Sequence, residues 1–408
     1  MAPSGSVPVR AARLPPVPTP SSRPVVVRRG EATVVAAEPS DVVVANGAGA
    51  FDVLDGLATG WWAGYLSYDL GRAVETVETR LPPEPSMPDV VLARYDARLV
   101  VDRSGARFVG GRRACSALEG LLERAPAPGA LPPSLDPPTS SLDRAEFEAR
   151  VPSIIELIEA GDCYQVNLTR RLTWDHTLDP IALHRALARV NPAPHAALLV
   201  LPVGDESISV VSASPERFLA WRGAECETRP IKGTGPDARV LLDSVKDRAE
   251  NVMIVDLARN DLGRVCEYGS IHVPAMLSLE EHPGLVHLVS TVRGRRRARI
   301  GAGALLRATF PPASVTGAPK PRVLQIIEDL ETVRRGVYCG AVGWIDTEHD
   351  EADLAVAIRT FTITGGQTTL GVGSGIVADS DPAAEWEETE LKISRLQRAL
   401  GTLPRVAA

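Results

Sequence analysis

The sequence predicts an α+β chain. Short runs of β-branched and aromatic residues bounded by Gly, Pro and Asp turns recur along most of its length, and a smaller number of segments carry apolar residues at helical spacing behind good N-caps. A content of 44% hydrophobic residues over 408 is ample for a packed interior. The length favours two or three lobes, although a single large core is also allowed.

Met1 to Pro24 holds Arg10, Arg13 and Arg23 among prolines and serines without an apolar segment, so it reads as a disordered leader or an early start codon and not a secretory signal. Strands are expected at Val25–Val27, Ala32–Ala36, Trp61–Tyr68 and Val90–Val101. The Pro-rich passage from Ala125 to Thr139 can pack little and reads as a linker, dividing an N-terminal part, 25–124, from a second part, 140–402. Asp143 caps a helix whose Phe147, Val151, Ile154 and Ile158 share a face until Gly161 stops it. In the strand that follows, Gln165 and Asn167 share one face while Val166 and Leu168 take the other. Such amides are either turned inward to a ligand or solvated at an edge.

A helix near Ile181–Ala188 and strands at Ala196–Leu201 and Ile208–Ala213 lead to the corner Ser214-Pro215-Glu216-Arg217-Phe218. Phe218–Trp221 and Glu225–Thr228 read as two arms of a hairpin, which brings Glu216 near Lys232. Lys232 sits in Thr228-Arg229-Pro230-Ile231-Lys232-Gly233-Thr234, between a rigid proline and a flexible glycine. Arg229 is a second cation nearby, and such a neighbour favours the free, nucleophilic amine. An acid beside an amine can serve as general acid and nucleophile; the plainer reading is a salt bridge or a solvated loop lysine.

Two helices then repeat one device. The first begins near Asp243 and carries Asp247 and Glu250; the last begins at Asp381-Pro382 and carries Glu385, Glu388 and Lys392 on one face. Like charges three apart weaken a helix by a few tenths of a kcal/mol, so two such pairs call for a cation. Oxygen ligands without His or Cys at ligand spacing point to Mg²⁺. Between these helices, Pro311 to Lys320 is a tight polar loop feeding a helix at Arg322–Leu330. Strands are expected at Val337–Ile345, Leu354–Thr364 and Thr368–Val372, and Gly371 to Val377 then opens a glycine-rich loop whose amides could approach an oxyanion. No Walker loop, dinucleotide fingerprint or nucleophile elbow is present.

A net charge of −7 and a pI near 5.6 give no reason to expect nucleic acid or an anionic membrane as partner. No apolar run is long enough for a bilayer. Five scattered cysteines suit a reducing, cytoplasmic setting, and none has the setting of a glutaminase nucleophile.

As an ensemble these stretches resemble the chorismate-utilising enzymes from about Leu142 to Leu400, and more loosely through Gly64–Arg72. The matching blocks are Gly161–Thr169, Ser214–Phe218, Thr228–Thr234, Asp247–Val265, Pro311–Lys320, Ile358–Thr360, Gly371–Val377 and Glu385–Lys392. The resemblance implies a large α/β sandwich of two mostly antiparallel sheets with helices outside, assembled from both halves of the chain. It also implies Glu250 and Glu388 as direct Mg²⁺ ligands, with Asp247 and Glu385 acting through water. Arg359, Lys392, Tyr338 and the backbone at Gly373 and Gly375 match positions that bind the two substrate carboxylates, and Thr316 and His287 match positions lining the site.

Members of the family that attack chorismate with water carry a lysine where this chain has Gln165, and an amide cannot act as that base. Members that form 4-amino-4-deoxychorismate, the precursor of p-aminobenzoate for folate, carry the lysine matching Lys232, whereas anthranilate-forming members carry a small residue there. The resemblance therefore implies attack by Lys232 at C2, protonation of the departing C4 hydroxyl by Glu216, and ammonia from a separate glutamine amidotransferase subunit. Glu216 is then expected to have an elevated pKa from burial. An anthranilate-forming large subunit with an unusual lysine, or a non-catalytic chorismate-binding subunit, are the alternatives.

Overall fold

A computed structural model of the chain describes residues 23–400 apart from 85–86, 126–128, 130, 132–134, 236 and 283–284. Residues 1–22 of the expected leader, much of the expected linker and residues 401–402 lie outside the described residues.

Two sheets face each other, and every strand pair in them is antiparallel. The larger sheet runs from Gly317–Ala318 through Gln165–Trp174, Gln367–Ile376, Thr360–Thr364, Glu206–Ser214 and His195–Val203. It continues through Val25–Arg29, Ala32–Ala36 and Ala97–Asp102 to Gly105–Gly110. The smaller runs from Ile231–Gly235 through Leu285–Arg295, Glu225–Arg229, Arg217–Arg222 and Glu351–Val356. Ala341–Asp346, Trp61–Leu66, Val90–Tyr95 and Asp41–Ala45 complete it. Each sheet thus draws strands from both sides of the Pro-rich stretch. Val25 and Val27 lie in the core between the sheets with Trp61, Tyr65, Leu199 and Val210. Val26, Leu198 and Val211 point the other way, to the helices Pro180–Val190 and Pro382–Ala399. Strands buried on both faces read as continuous apolar runs, and this is why the period-two signal in the sequence is faint. No helix among the described residues is long and apolar enough to cross a membrane.

Several expected elements take other bounds in the structure. Trp61–Tyr68 is strand only to Leu66, and Ser67 then accepts the Asp69 N–H to start a short 3-10 turn. Val90–Val101 is two strands folded back at Asp96. Val337–Ile345 becomes strand only from Ala341, and Leu354–Thr364 is broken at Ala357–Arg359. The expected glycine-rich loop is a strand: Gln367–Ile376 stays in register with Gln165–Trp174 to Ile376, which faces Val166. Its glycines leave room for neighbouring side chains and do not mark a turn.

Candidate active site at the seam of the two sheets

Two strand-to-strand steps cross from one sheet to the other side by side. Glu206–Ser214 of the larger sheet passes through Pro215 and Glu216 into Arg217–Arg222 of the smaller. Glu351–Val356 returns through Ala357, Ile358 and Arg359 to Thr360–Thr364. The steps are tied together by Val356 N–H to Glu216 O at 3.0 Å, Ala213 N–H to Arg359 O at 3.0 Å, and Ser214 Oγ to Val356 O at 2.6 Å. Arg359 takes φ of +52°, a conformation that costs a non-glycine residue free energy and concentrates at functional sites.

Glu216 is 4% exposed. Burial pushes its carboxyl up to about 7, although the Ser314 side chain, the Ile231 N–H, Lys232 and Arg359 all favour the charged form. The hairpin is as expected: Arg217–Arg222 pairs with Glu225–Arg229, with Trp221 opposite Cys226 and Arg217 opposite Arg229. That register carries the chain past Pro230 and brings the Ile231 N–H to Glu216. The Arg359 guanidinium makes no hydrogen bond or ion pair among the described residues. Burial and then the neighbouring Arg395 lower it to about 10, with Glu216 opposing.

Lys232 projects from an irregularity in the ladder. Ile231 faces Val289 and Thr234 faces His287, so Lys232 and Gly233 together oppose Leu288 alone. Such a bulge re-aims a side chain, and Gly233 supplies the φ of +93° it requires. A Cβ at Gly233 would lie 3.2 Å from the Asp247 side chain and 3.3 Å from Leu288. Lys232 Nζ lies 3.2 Å from Glu250 Oε2, both side chains 15% exposed. The expected second cation is turned away, since Arg229 pairs with Glu280. The charge in contact with the amine is an anion.

On the other side stands the glycine strand. A Cβ at Gly375 would be 2.8 Å from Gln165 Nε2 and 3.3 Å from Lys232 Nζ, so its absence leaves room for both side chains there. Gln165 is fully buried, and neither its Oε1 nor its Nε2 has a hydrogen-bond partner. A buried amide left unpaired costs about 1–3 kcal/mol unless something polar completes it. Asn167 on the same face is inward too, with Nδ2 donating to Val315 O at 3.2 Å.

The helix Pro382–Ala399 closes the site. Glu388 pairs with Lys392 at 2.6 Å, and Lys392 Nζ also donates to Gly373 O at 2.8 Å. The Glu388 side chain is 45% exposed; partial burial raises its carboxyl, but Lys392 and the more distant Lys232 help to hold it below the usual carboxylate range. Glu385 is buried and accepts from Ser374 Oγ, and from Ser380 Oγ at 2.6 Å. Asp247, at the start of the helix Val245–Gly263, abuts Gly233. Among the described residues no three of these carboxylates bring oxygens within 4.8 Å of one another. Lys232 nevertheless acts on Glu250 and on Glu388 alike, so both carboxylates face one shared positive charge. That donor set fits a hard divalent cation, which uses few direct carboxylates and keeps its waters.

Three expected residues stand on the flanks. Thr316 is buried with its hydroxyl turned to Pro312 O and Ala313 O, both at 3.2 Å. The Tyr338 ring packs against Gly371, where a Cβ would come within 2.2 Å of it. His287 Nδ1 meets Thr234 Oγ1 at 2.8 Å, two residues from Lys232. Sequence reading missed Ser314, Ser374 and Arg335. The two serines sit within blocks already singled out, and a hydroxyl near a carboxylate gives no spacing signal. Buried Arg335 donates to Asn167 O at 2.6 Å, Val315 O at 2.9 Å and Glu331 Oε1 at 2.7 Å, pinning the Gln165 strand to the loop before Thr316.

A family model described as chorismate binding enzyme matches residues 28–398. The aminodeoxychorismate synthase component 1 of Klebsiella aerogenes is 40% identical over 356 residues, covering 83% of this chain and 76% of that protein. An anthranilate synthase component 1 of Haloarcula marismortui is 35% identical over 378 residues with the same coverage. Among solved structures, anthranilate synthase component I from Streptococcus pneumoniae superposes with a TM-score of 0.77 at 27% identity, covering 95% of each chain.

Proposed function

Because the chain belongs to the chorismate-binding enzymes, we propose that it aminates chorismate to 4-amino-4-deoxychorismate. The observation that carries this reading is the protonatable, buried Glu216 held by the N–H of the residue before Lys232. Acid and amine then reach one substrate from adjacent points.

In the proposed course, the neutral Lys232 amine bonds to C2 of chorismate, both ring double bonds shift toward C4, and the C4–O bond breaks as Glu216 protonates the departing hydroxyl to water. Ammonia bonds to C4, both double bonds return to their original places, and the Lys232–C2 bond breaks. Glu216 recovers its proton from the incoming nitrogen. Gln165 completes its amide against the substrate and offers no base for water attack. Arg359 and Lys392 provide cations for the substrate carboxylates. Glu250 and Glu388, with Asp247 and Glu385 behind them, would hold Mg²⁺, which supplies a charge to fix the ring carboxylate. Ammonia would come from a glutamine amidotransferase partner, in keeping with the component 1 naming of the relatives. Anthranilate formation is the second reading, favoured by the likeness to the Haloarcula and Streptococcus proteins.

The test is to incubate the chain with chorismate, ammonium and Mg²⁺, and then add an aminodeoxychorismate lyase. p-Aminobenzoate that depends on the lyase and disappears in Lys232→Ala supports the reading. Anthranilate formed without the lyase overturns it in favour of the second.

A further inference from the structure

A bulge that gives up ladder hydrogen bonds is soft unless something else holds it. The helix that carries Glu250 does so with the next residue. Asn251 is 1% exposed, and its Nδ2 donates to Leu288 O at 3.2 Å and lies 3.5 Å from Lys232 O. Those two carbonyls belong to the residues that face each other across the bulge. Its Oδ1 accepts from Ser290 Oγ at 2.5 Å, while Ser290 Oγ itself accepts the Leu277 N–H at 3.0 Å. Carbonyl oxygens only accept, so the amide must turn its NH₂ toward the bulge and its oxygen toward the Ser290 hydroxyl. The orientation is fixed at both ends.

We propose that Asn251 is the positioning residue for Lys232, replacing the ladder bonds lost at the bulge and so setting where the amine stands. One helix then grips a single residue twice, Glu250 at its amine and Asn251 at its carbonyl. The functional part of this inference rests on the amination reading; the structural part does not.

The chain has four lysines, Lys232, Lys246, Lys320 and Lys392, so amine labelling reads the site with little background. The full-length protein is treated with trace amine-acetylating ester, and the ratio of acetylation at Lys232 to that at Lys392 is measured by peptide mass spectrometry. In Asn251→Ala the ratio rises at least about threefold as the bulge loosens, and kcat for amination falls roughly 10- to 100-fold with the chorismate KM little changed. Ser290→Ala, which frees the amide to rotate, gives smaller changes in the same direction and decides the question alone should Asn251→Ala not fold. An unchanged labelling ratio in the folded variants overturns the proposal, as does a loss shared equally by kcat and KM, because either leaves Asn251 a plain tie between helix and sheet. If Lys232→Ala keeps full amination activity, it is the nucleophilic role of Lys232 that fails, while the labelling change in Asn251→Ala remains.

Discussion

Glu216→Gln tests the buried acid directly. In the folded protein this carboxyl titrates at about 7 against an ordinary 4.5, because burial disfavours the charged form. The folded state therefore binds the proton more tightly than the unfolded chain, so Glu216 contributes stability that is fully present below pH 4.5 and is lost as pH rises through 7. Integrating the two titrations between pH 5 and pH 8 gives a loss of about 2.5 kcal/mol. Glutamine cannot ionise, so the variant should not pay it. Urea unfolding of both proteins at a series of pH values isolates the effect, because all other titrating groups are shared and cancel in the difference. The variant should gain about 2.5 kcal/mol on the parent across that range, and the parent's kcat/KM should decline above about pH 7 as the acid is lost. Stability profiles that run parallel within about 0.5 kcal/mol would refute the raised pKa and with it the general-acid role.

Lys232→Ala should reduce amination on the order of 10³-fold or more while leaving far-UV circular dichroism unchanged. Gly375→Ala places a methyl 2.8 Å from Gln165 Nε2 and 3.3 Å from Lys232 Nζ, so kcat should fall about tenfold or more with the thermal midpoint nearly kept. Arg335→Leu strands the buried Glu331 carboxylate and should cost about 3–5 kcal/mol, read as a lowered urea midpoint. Chelation of divalent ions should abolish turnover and excess Mg²⁺ restore it, with calorimetry showing weakened Mg²⁺ binding in Glu388→Gln.

Much of this was legible in the sequence where local chemistry decides. The Asp143 cap, with Glu146 answering it in a capping box, starts its helix where expected. The Phe218–Thr228 hairpin and the shared face of Gln165 and Asn167 also follow from period-two reasoning. What failed depended on distant partners. Asp41–Ala45 passed unnoticed because a five-residue edge strand on Val90–Tyr95 carries too little pattern to announce itself. Gly371–Val377 reads as a loop because glycine usually marks one, whereas the Tyr338 ring at Gly371, Leu168 O and Thr169 at Gly373, and the Gln165 amide at Gly375 explain why a strand needs no side chains there. Arg229 stands near Lys232 in sequence, but Glu280, fifty-one positions later, pairs with it instead.

The interleaving of the two halves has a price in time. Val26 pairs with Leu198 and Ala63 with Trp344, so early strands wait for partners made much later. During synthesis the first hundred residues can pair among themselves, Val25–Arg29 with Ala32–Ala36 and Trp61–Leu66 with Val90–Tyr95, but the other edges of Val25–Arg29 and Trp61–Leu66 stay open until their later partners emerge, a state prone to edge-to-edge association. Assembly governed by such long-range closure is slow. Yield in a cell should then respond to chaperone supply and growth temperature more than to any single side chain.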